Sequence, residues 1–337
     1  MASNDHRVRY TKRIKKVNIQ NKDIHKDVRL VGSILRKIMP VFTTEQLYTL
    51  SEKCEKFLAG KWLGKNTTAE IRYIDRPDGS KLRVLVCRAK EGTKSKATGL
   101  LWIHGGGYAI GAPEQDFFFV DPMVKDGSCV AVMPAYTLAT KAPYPAALED
   151  CYLALKWMKE HTGELGINPN QLFVGGDSAG GGLTAAVCLY ARDQAEVNIA
   201  FQMPLYPMLD DRMITASSQN NDAPVWNTAS NIAAWNLYLE GTNKENVPIY
   251  AAPARAEDLH GLPPTCTYVG TIEPFHDETV DFVTRLRAYG VNVQFREYEG
   301  CFHAFDMMGI GTKIGKDARV FLMENFSYAQ AHYFAEN

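Results

Sequence analysis

The residues best suited to chemistry in this chain are a serine between glycines and a separate run of glycines. Gly176-Asp177-Ser178-Ala179-Gly180 sits where a predicted strand, Leu172–Val174, gives way to a predicted helix, Ala179–Arg192. A serine on such a tight strand-to-helix turn is lifted above its sheet, and only glycine two residues to either side tolerates the crowding. The helix N-terminus beneath it adds free N–H groups and the positive end of a dipole. Further upstream, His104-Gly105-Gly106-Gly107 follows another predicted strand, Leu100–Ile103. Glycines in series let backbone N–H groups turn toward one point, as an oxyanion hole requires, and each donor lost from such a hole costs about 2.7–4 kcal/mol of barrier. The expected donors are the N–H groups of Gly105 or Gly106, of Gly107 and of Ala179. Together these pieces predict nucleophilic attack by Ser178 on an acyl carbon.

A serine nucleophile needs a base, and eight histidines compete for that role. His6, His25 and His332 lie near the termini, His161 ends a helix, and His260 precedes a Gly-Leu-Pro-Pro turn. His104 belongs to the glycine loop, where bracing by hydrogen bonds is its expected part. His303, in Gly300-Cys301-Phe302-His303-Ala304-Phe305, follows the last core strand and so falls at the carboxyl edge of the sheet with Ser178. His303 is the expected base, with His276 the runner-up. The third member must orient the imidazole and stabilise its charged form. Glu273 occupies the loop after predicted strand Thr265–Val269, whereas Asp277 and Glu278 fall in the first turn of the next helix, where acids are favoured anyway. Glu273 is the expected acid.

Other readings of the same glycines are weaker. Gly180-Gly181-Gly182-Leu183-Thr184-Ala185 matches a dinucleotide fingerprint in form, but its glycines lie inside a helix rather than in the turn a pyrophosphate needs. Gly106 to Gly111 has phosphate-loop spacing, yet Ala112-Pro113 stand where Lys and Ser/Thr belong. The seven cysteines, at 54, 87, 129, 151, 188, 266 and 301, are spread singly with no C-x-x-C pair. No metal or other cofactor is expected.

These residues are carried by a chain of 337 residues that is 46% hydrophobic and 22% charged, ordinary values for a soluble globular protein. Net charge is −1, so no nucleic-acid partner is expected. No apolar run approaches the ~18–20 residues of a membrane span, so stable membrane insertion is not expected. Arg7, Arg9, Lys12, Arg13, Lys15 and Lys16 lack the apolar run of a secretory signal behind them, which points to the cytoplasm. Ile24, Val28, Val31, Leu35 and Ile38 mark a first helix face, and a second helix is expected over Thr44 to Leu58. From Ile71 onward, strands alternate with helices: Lys81–Ala89, Leu100–Ile103, Val130–Met133, Leu172–Val174, Ile199–Met203, Thr265–Val269 and Val291–Tyr298, with helices at Asp116–Lys125, from Pro145, at Ala179–Arg192 and at Phe275–Tyr289. That rhythm predicts an α/β fold with a mostly parallel central sheet and helices on both faces. An insertion at about 208–250, with its own helix near Thr228–Leu239, interrupts it and is too long for an ordinary loop. Tyr108, Tyr206, Trp226, Trp235 and Phe275 are candidates to line an apolar pocket.

The sequence resembles the hormone-sensitive-lipase-like family of α/β-hydrolase esterases over about residues 70–310. The matching pieces are His104-Gly105-Gly106-Gly107, Gly176-Asp177-Ser178-Ala179-Gly180-Gly181, the Glu273–Glu278 segment, Phe302-His303-Ala304-Phe305 and Tyr144-Pro145-Ala146-Ala147-Leu148-Glu149-Asp150. The order Ser178, Glu273, His303 is the one that fold uses. The resemblance implies an α/β-hydrolase catalytic domain over 66–337 and a helical cap made by 1–65 with the 208–250 insertion. It also implies hydrolysis of small-molecule carboxylic esters of short to medium acyl chain, including acetyl esters. An amidase or formamidase on the same residues, or a non-catalytic small-molecule receptor, are the alternatives. Two departures stand out: the family usually carries Asp where Glu273 stands, and Thr137-Leu138-Ala139-Thr140-Lys141 replaces its Arg-Leu-Ala-Pro-Glu. A homo-oligomer is left open.

Overall fold

The computed structural model describes residues 18–48 and 64–337. Its strands are β1 (Thr67–Asp75), β2 (Lys81–Ala89), β3 (Ala97–Ile103), β4 (Cys129–Pro134), β5 (Ile167–Asp177), β6 (Phe201–Leu205), β7 (Thr265–Gly270) and β8 (Val293–Tyr298). They form one sheet in the order β1-β2-β4-β3-β5-β6-β7-β8. β2 runs antiparallel to both its neighbours, and every pairing from β4 to β8 is parallel. The central parallel strands are buried because helices cover both faces: β3 and β4 are buried at every residue, whereas the edge strand β8 (Val-Gln-Phe-Arg-Glu-Tyr) is partly exposed. Side chains alternate between two cores, with Leu101 and Ile103 on one side of β3 and Leu100 and Trp102 on the other.

The helices are α1 (Arg29–Ile38), α2 (Phe117–Val124), α3 (Ala146–Glu160), α4 (Thr162–Leu165), α5 (Ala179–Gln194), α6 (Thr228–Tyr238), α7 (His276–Ala288), α8 (Phe305–Met308) and α9 (Lys313–His332). From β3 the chain crosses to β4 on one side, then returns to β5 on the other. That reversal opens a crevice at the carboxyl ends of β3 and β5, where α/β sheets hold their ligands. Ile103 pairs with Gly176, so the glycine loop and the serine turn leave the sheet side by side.

The structure adjusts several expected boundaries. β6 lies two residues later than expected, running through Pro204 to Leu205, and β8 starts at Val293. α1 begins at Arg29 rather than Ile24, because the His25 N–H is bonded to the Gly300 carbonyl at 2.7 Å and the chain upstream is pinned there outside a helix. Residues 45–48 are helical, and the rest of the expected Thr44–Leu58 helix lies outside the described residues, as do Cys54 and the basic residues from Arg7 to Lys16. The other six cysteines are buried and unpaired. α9 is an element that the sequence pattern did not announce.

The Thr137 loop has a partner of its own. Asp150, on α3, accepts from the Thr137 N–H and Oγ1, both at 2.7 Å, and from the Arg76 guanidinium through Nε and Nη2 at 2.5 and 2.9 Å. A forked guanidinium from the end of β1 thus neutralises an acid that Thr137 alone leaves charged. Within the insertion, Asn227 caps α6 by accepting the Ser230 N–H at 3.0 Å. Ser230 also accepts the Phe42 N–H at 3.1 Å on Oγ and the Tyr48 hydroxyl at 2.9 Å on its carbonyl. The N-terminal segment and the insertion are therefore bound to each other.

Candidate active site

Ser178 sits between β5 and α5 at φ 57°, ψ −119°, a left-handed backbone that a non-glycine residue occupies at a cost of about 1–3 kcal/mol. Its neighbours explain the glycine spacing. A Cβ on Gly176 would press into the Ile103 carbonyl and lie 2.6 Å from that of Gly180. One on Gly180 would press into the Ile103 carbonyl and lie 2.6 Å from that of His104. The turn is held because the Ser178 N–H donates to Leu205 O at 2.9 Å, on β6.

His303 reaches this turn from the loop after β8. Its Nε2 is 2.8 Å from Ser178 Oγ, and its Nδ1 is bonded to Glu273 Oε2. Glu273 is fully buried, and its second oxygen accepts the Gly270 N–H at 3.0 Å. One carboxylate thus braces its own loop and orients the imidazole. The side chains of Ser178, His303 and Glu273 form a continuous hydrogen-bonded path drawn from three separate strand ends.

The glycine loop is divided in its duties. The Gly105 N–H donates to Asp177 Oδ1 at 2.9 Å, so it is turned away from Ser178. This corrects the inclusion of Gly105 among the expected donors. The reason is packing: a Cβ on Gly105 would lie 2.6 Å from Asp177 Oδ2, so the carboxylate rests directly on this residue. The N–H groups of Gly106, Gly107 and Ala179 have no hydrogen-bond partner among the described residues. His104 braces the loop: Nδ1 donates to the Gly105 carbonyl at 2.8 Å and the ring stacks on Tyr136 at 4.2 Å. Burial lowers its pKa to about 4, so it is neutral.

The competing acid and base candidates lie elsewhere. His276 bonds Asp277 at 2.8 Å and Glu297 at 2.7 Å; burial lowers its pKa, but these two acids outweigh burial and hold it above the ordinary value. Asp277 also accepts the Ser217 N–H at 2.9 Å. Glu278 is buried and accepts the Leu209 N–H at 2.7 Å, with burial raising its pKa well above normal. Among the described residues none of the three is hydrogen-bonded to His303.

Of the five aromatic candidates, three gather on the histidine. Tyr206, Phe275 and Trp226 stand 5.0, 5.1 and 6.4 Å from the His303 ring, centre to centre. Trp226 also abuts Gly107, where a Cβ would be 2.5 Å from its Cη2. Tyr108 and Trp235 belong to a second cluster, 5.5 Å apart, and Tyr108 stacks on Tyr238 at 3.9 Å. Sequence reasoning missed Asp116 and assigned Asp177 no role. Both are buried; Asp116 accepts the Trp102 Nε1–H at 2.8 Å, and burial together with the neighbouring Asp177 raises its pKa well above the ordinary value. The signal for Asp177 was available, since a charged residue between a buried strand and a tight turn needs a partner.

With this geometry in hand, similarity to known proteins is informative. Residues 100–307 match the family described as alpha/beta hydrolase fold. The chain belongs to the α/β-hydrolase family. Within the family it falls among the hormone-sensitive-lipase-like esterases. It is 33% identical to esterase LipI of Mycobacterium tuberculosis over an alignment of 223 residues that covers 63% of this chain and 67% of that protein. It is 28% identical to an arylesterase of Saccharolobus solfataricus, covering 78% of this chain and 86% of that one. Among solved structures, a bacterial heroin esterase superposes with a TM-score of 0.82 at 30% identity, covering 92% of this chain and 98% of that one. As an α/β-hydrolase with such relatives, the chain is a carboxylic ester hydrolase. Among the described residues no helix is long and apolar enough to cross a membrane, and no cluster of side chains fits a metal ion.

Proposed function

We propose that this hydrolase works through an acyl-enzyme on Ser178. The observation that carries the reading is the unbroken path from Glu273 through His303 to Ser178. Ser178 Oγ attacks the ester carbonyl carbon as its proton passes to His303 Nε2. Glu273 holds the imidazole with Nε2 toward the serine and stabilises the imidazolium. The developing oxyanion is received by the N–H groups of Gly106, Gly107 and Ala179. His303 then gives its proton to the leaving alcohol oxygen, the acyl group stays on Ser178, and water repeats the sequence to release the acid.

The substrates in this reading are small-molecule esters of short to medium acyl chain. Trp226, pressed against Gly107, supports that limit by narrowing the space above the donors. A cytoplasmic setting is supported by the six buried, unpaired cysteines among the described residues.

The test is hydrolysis of p-nitrophenyl esters from acetate to palmitate, with Ser178→Ala and the matching p-nitroanilides alongside. Turnover is expected to peak among the short and medium esters and to fall by about 10⁶ in the variant. Substantial turnover by Ser178→Ala removes the serine from the mechanism, and faster cleavage of the anilides than of the esters moves the reading to an amidase.

A further inference from the structure

Helix α1 shows aliphatic side chains on the wrong side for a surface helix. Leu30 is 74% exposed, Ile34 47% and Ile38 69%, and Val41 just beyond the helix is 46% exposed. Leu30, Ile34 and Ile38 recur every four residues, so they share one face and make a stripe about 12 Å long. The opposite face is already occupied. Val28 and Gly32 are buried, and α1 lies so close to Phe302 that a Cβ on Gly32 would come within 2.7 Å of its ring. A helix docked by one face on a soluble fold normally presents polar residues outward.

The charge around this stripe is equally uneven. The described residues 18–41 contain five Lys and Arg against two Asp, in a chain whose net charge is −1. Lys26, Arg29 and Lys37 lie on or beside α1, and all three are exposed. Of the acids, Asp23 accepts the Gln20 N–H at 2.8 Å and Asp27 the Ile314 N–H at 3.2 Å. The Ile19 carbonyl accepts from Arg36 of α1 at 2.7 Å, which holds the segment ahead of the helix against it.

We propose that the outer face of α1 is a peripheral docking surface for an anionic lipid bilayer. The stripe enters the headgroup layer while the surrounding lysines and arginines engage lipid phosphates. A nucleic acid would use the cations but not the aliphatic stripe. A second copy packed through the same face would set basic surface against basic surface. The inference is independent of the acyl-enzyme reading, since binding to lipid needs no turnover. It has a functional consequence: α1 rests on Phe302, the residue before His303, so docking brings the His303 loop to the lipid interface.

The test is co-sedimentation of the full chain with vesicles of phosphatidylcholine alone and of phosphatidylcholine mixed with phosphatidylglycerol. Binding to the mixed vesicles is expected to be at least about tenfold tighter, and to weaken as salt is raised. The triple variant Leu30→Ser, Ile34→Ser, Ile38→Ser is expected to lose at least about tenfold of that binding. Its melting temperature and its hydrolysis of a water-soluble acetyl ester are expected to stay at wild-type values. If the triple variant does not fold, Ile38→Ser alone and Lys26→Gln with Lys37→Gln carry the same comparison. The proposal is overturned by failure to bind either vesicle, or by vesicle binding that ignores the stripe variants. It is equally overturned if a DNA duplex abolishes vesicle binding at equal charge, or if the stripe variants change only the oligomeric state.

Discussion

Replacing Gly180 by alanine sets two effects of known size against each other. In a helix interior alanine is favoured over glycine by about 0.8–1.0 kcal/mol, which is an upper limit for Gly180, the second residue of α5. Sterically, the new methyl would lie 2.6 Å from the His104 carbonyl oxygen and closer still to that of Ile103. Ordinary contact begins near 3.4 Å, so the start of α5 or the end of β3 must shift by about 0.8 Å or more. Overpacking of this kind costs about 1–3 kcal/mol, which leaves a net destabilisation of up to about 2–3 kcal/mol. Activity is more exposed than stability, because β3 leads into the glycine loop and α5 begins at Ala179. A displacement of about 1 Å in a catalytic constellation costs on the order of 10²-fold in rate. The expected result with a p-nitrophenyl ester is therefore a kcat about 100-fold lower at nearly unchanged KM, with only a modest loss of melting temperature. Gly163→Ala is the control: nothing lies within 4 Å of a Cβ there, so up to about 1 kcal/mol of stabilisation and an unchanged kcat are expected. Wild-type kcat and stability in Gly180→Ala would refute the claim that the carbonyls of Ile103 and His104 demand glycine.

Two other perturbations follow from the buried acids. Glu273→Gln offers His303 Nδ1 an amide in place of a carboxylate, and kcat is expected to fall by about 10⁴, as when a triad acid becomes its amide; Glu273→Asp recovers part of this, and full activity in the glutamine variant would count against Glu273. Asp306 receives the Tyr268 hydroxyl at 2.6 Å, and burial raises its pKa to about 6. Its folded-state pKa is the higher one, so its contribution to stability is present below the ordinary value of 3.8 and is lost as pH rises through about 6. That shift corresponds to a loss on the order of 3 kcal/mol. Asp306→Asn keeps an acceptor for Tyr268 without the charge. Relative to wild type it is expected to gain stability to denaturant at pH 7.5 but not at pH 4, and an equal effect at both would contradict the assignment.

What was legible in the sequence was what single residues or short runs impose on their own. The serine turn could be read because its glycines answer a steric demand local to five residues, and β3 and β4 because strands covered on both faces are continuously apolar. α9 was not legible: its buried Ala318, Phe321, Leu322, Phe326 and Ala329 follow a helical period, but charged and polar residues crowd the intervals. Pairings across long sequence distances were also hidden. Nothing in the neighbourhood of Gly105 announces that its N–H belongs to Asp177, 72 residues away, and only the packing of β3 against β5 brings them together. The Arg76 fork on Asp150 is hidden for the same reason, with 74 residues between the partners. Glu273 could be chosen over Asp277 and Glu278 because loop and helix differ in what they ask of an acid.

The descent of the three proposed catalytic residues from far-apart strand ends sets an order of events in the life of the molecule. Ser178 lies 125 residues before His303, and Glu273 lies 30 before it, so no fragment that stops short of the loop after β8 holds more than two of the three. In the proposed mechanism the nucleophile leaves the ribosome well ahead of its base during synthesis, so the nascent chain passes through folded-looking stages in which Ser178 has no base to activate it. Ester turnover therefore reports completion of the C-terminal half of the sheet, while helical content reports a much earlier stage. In refolding, regained activity should trail regained helix by the time β7 and β8 take to dock.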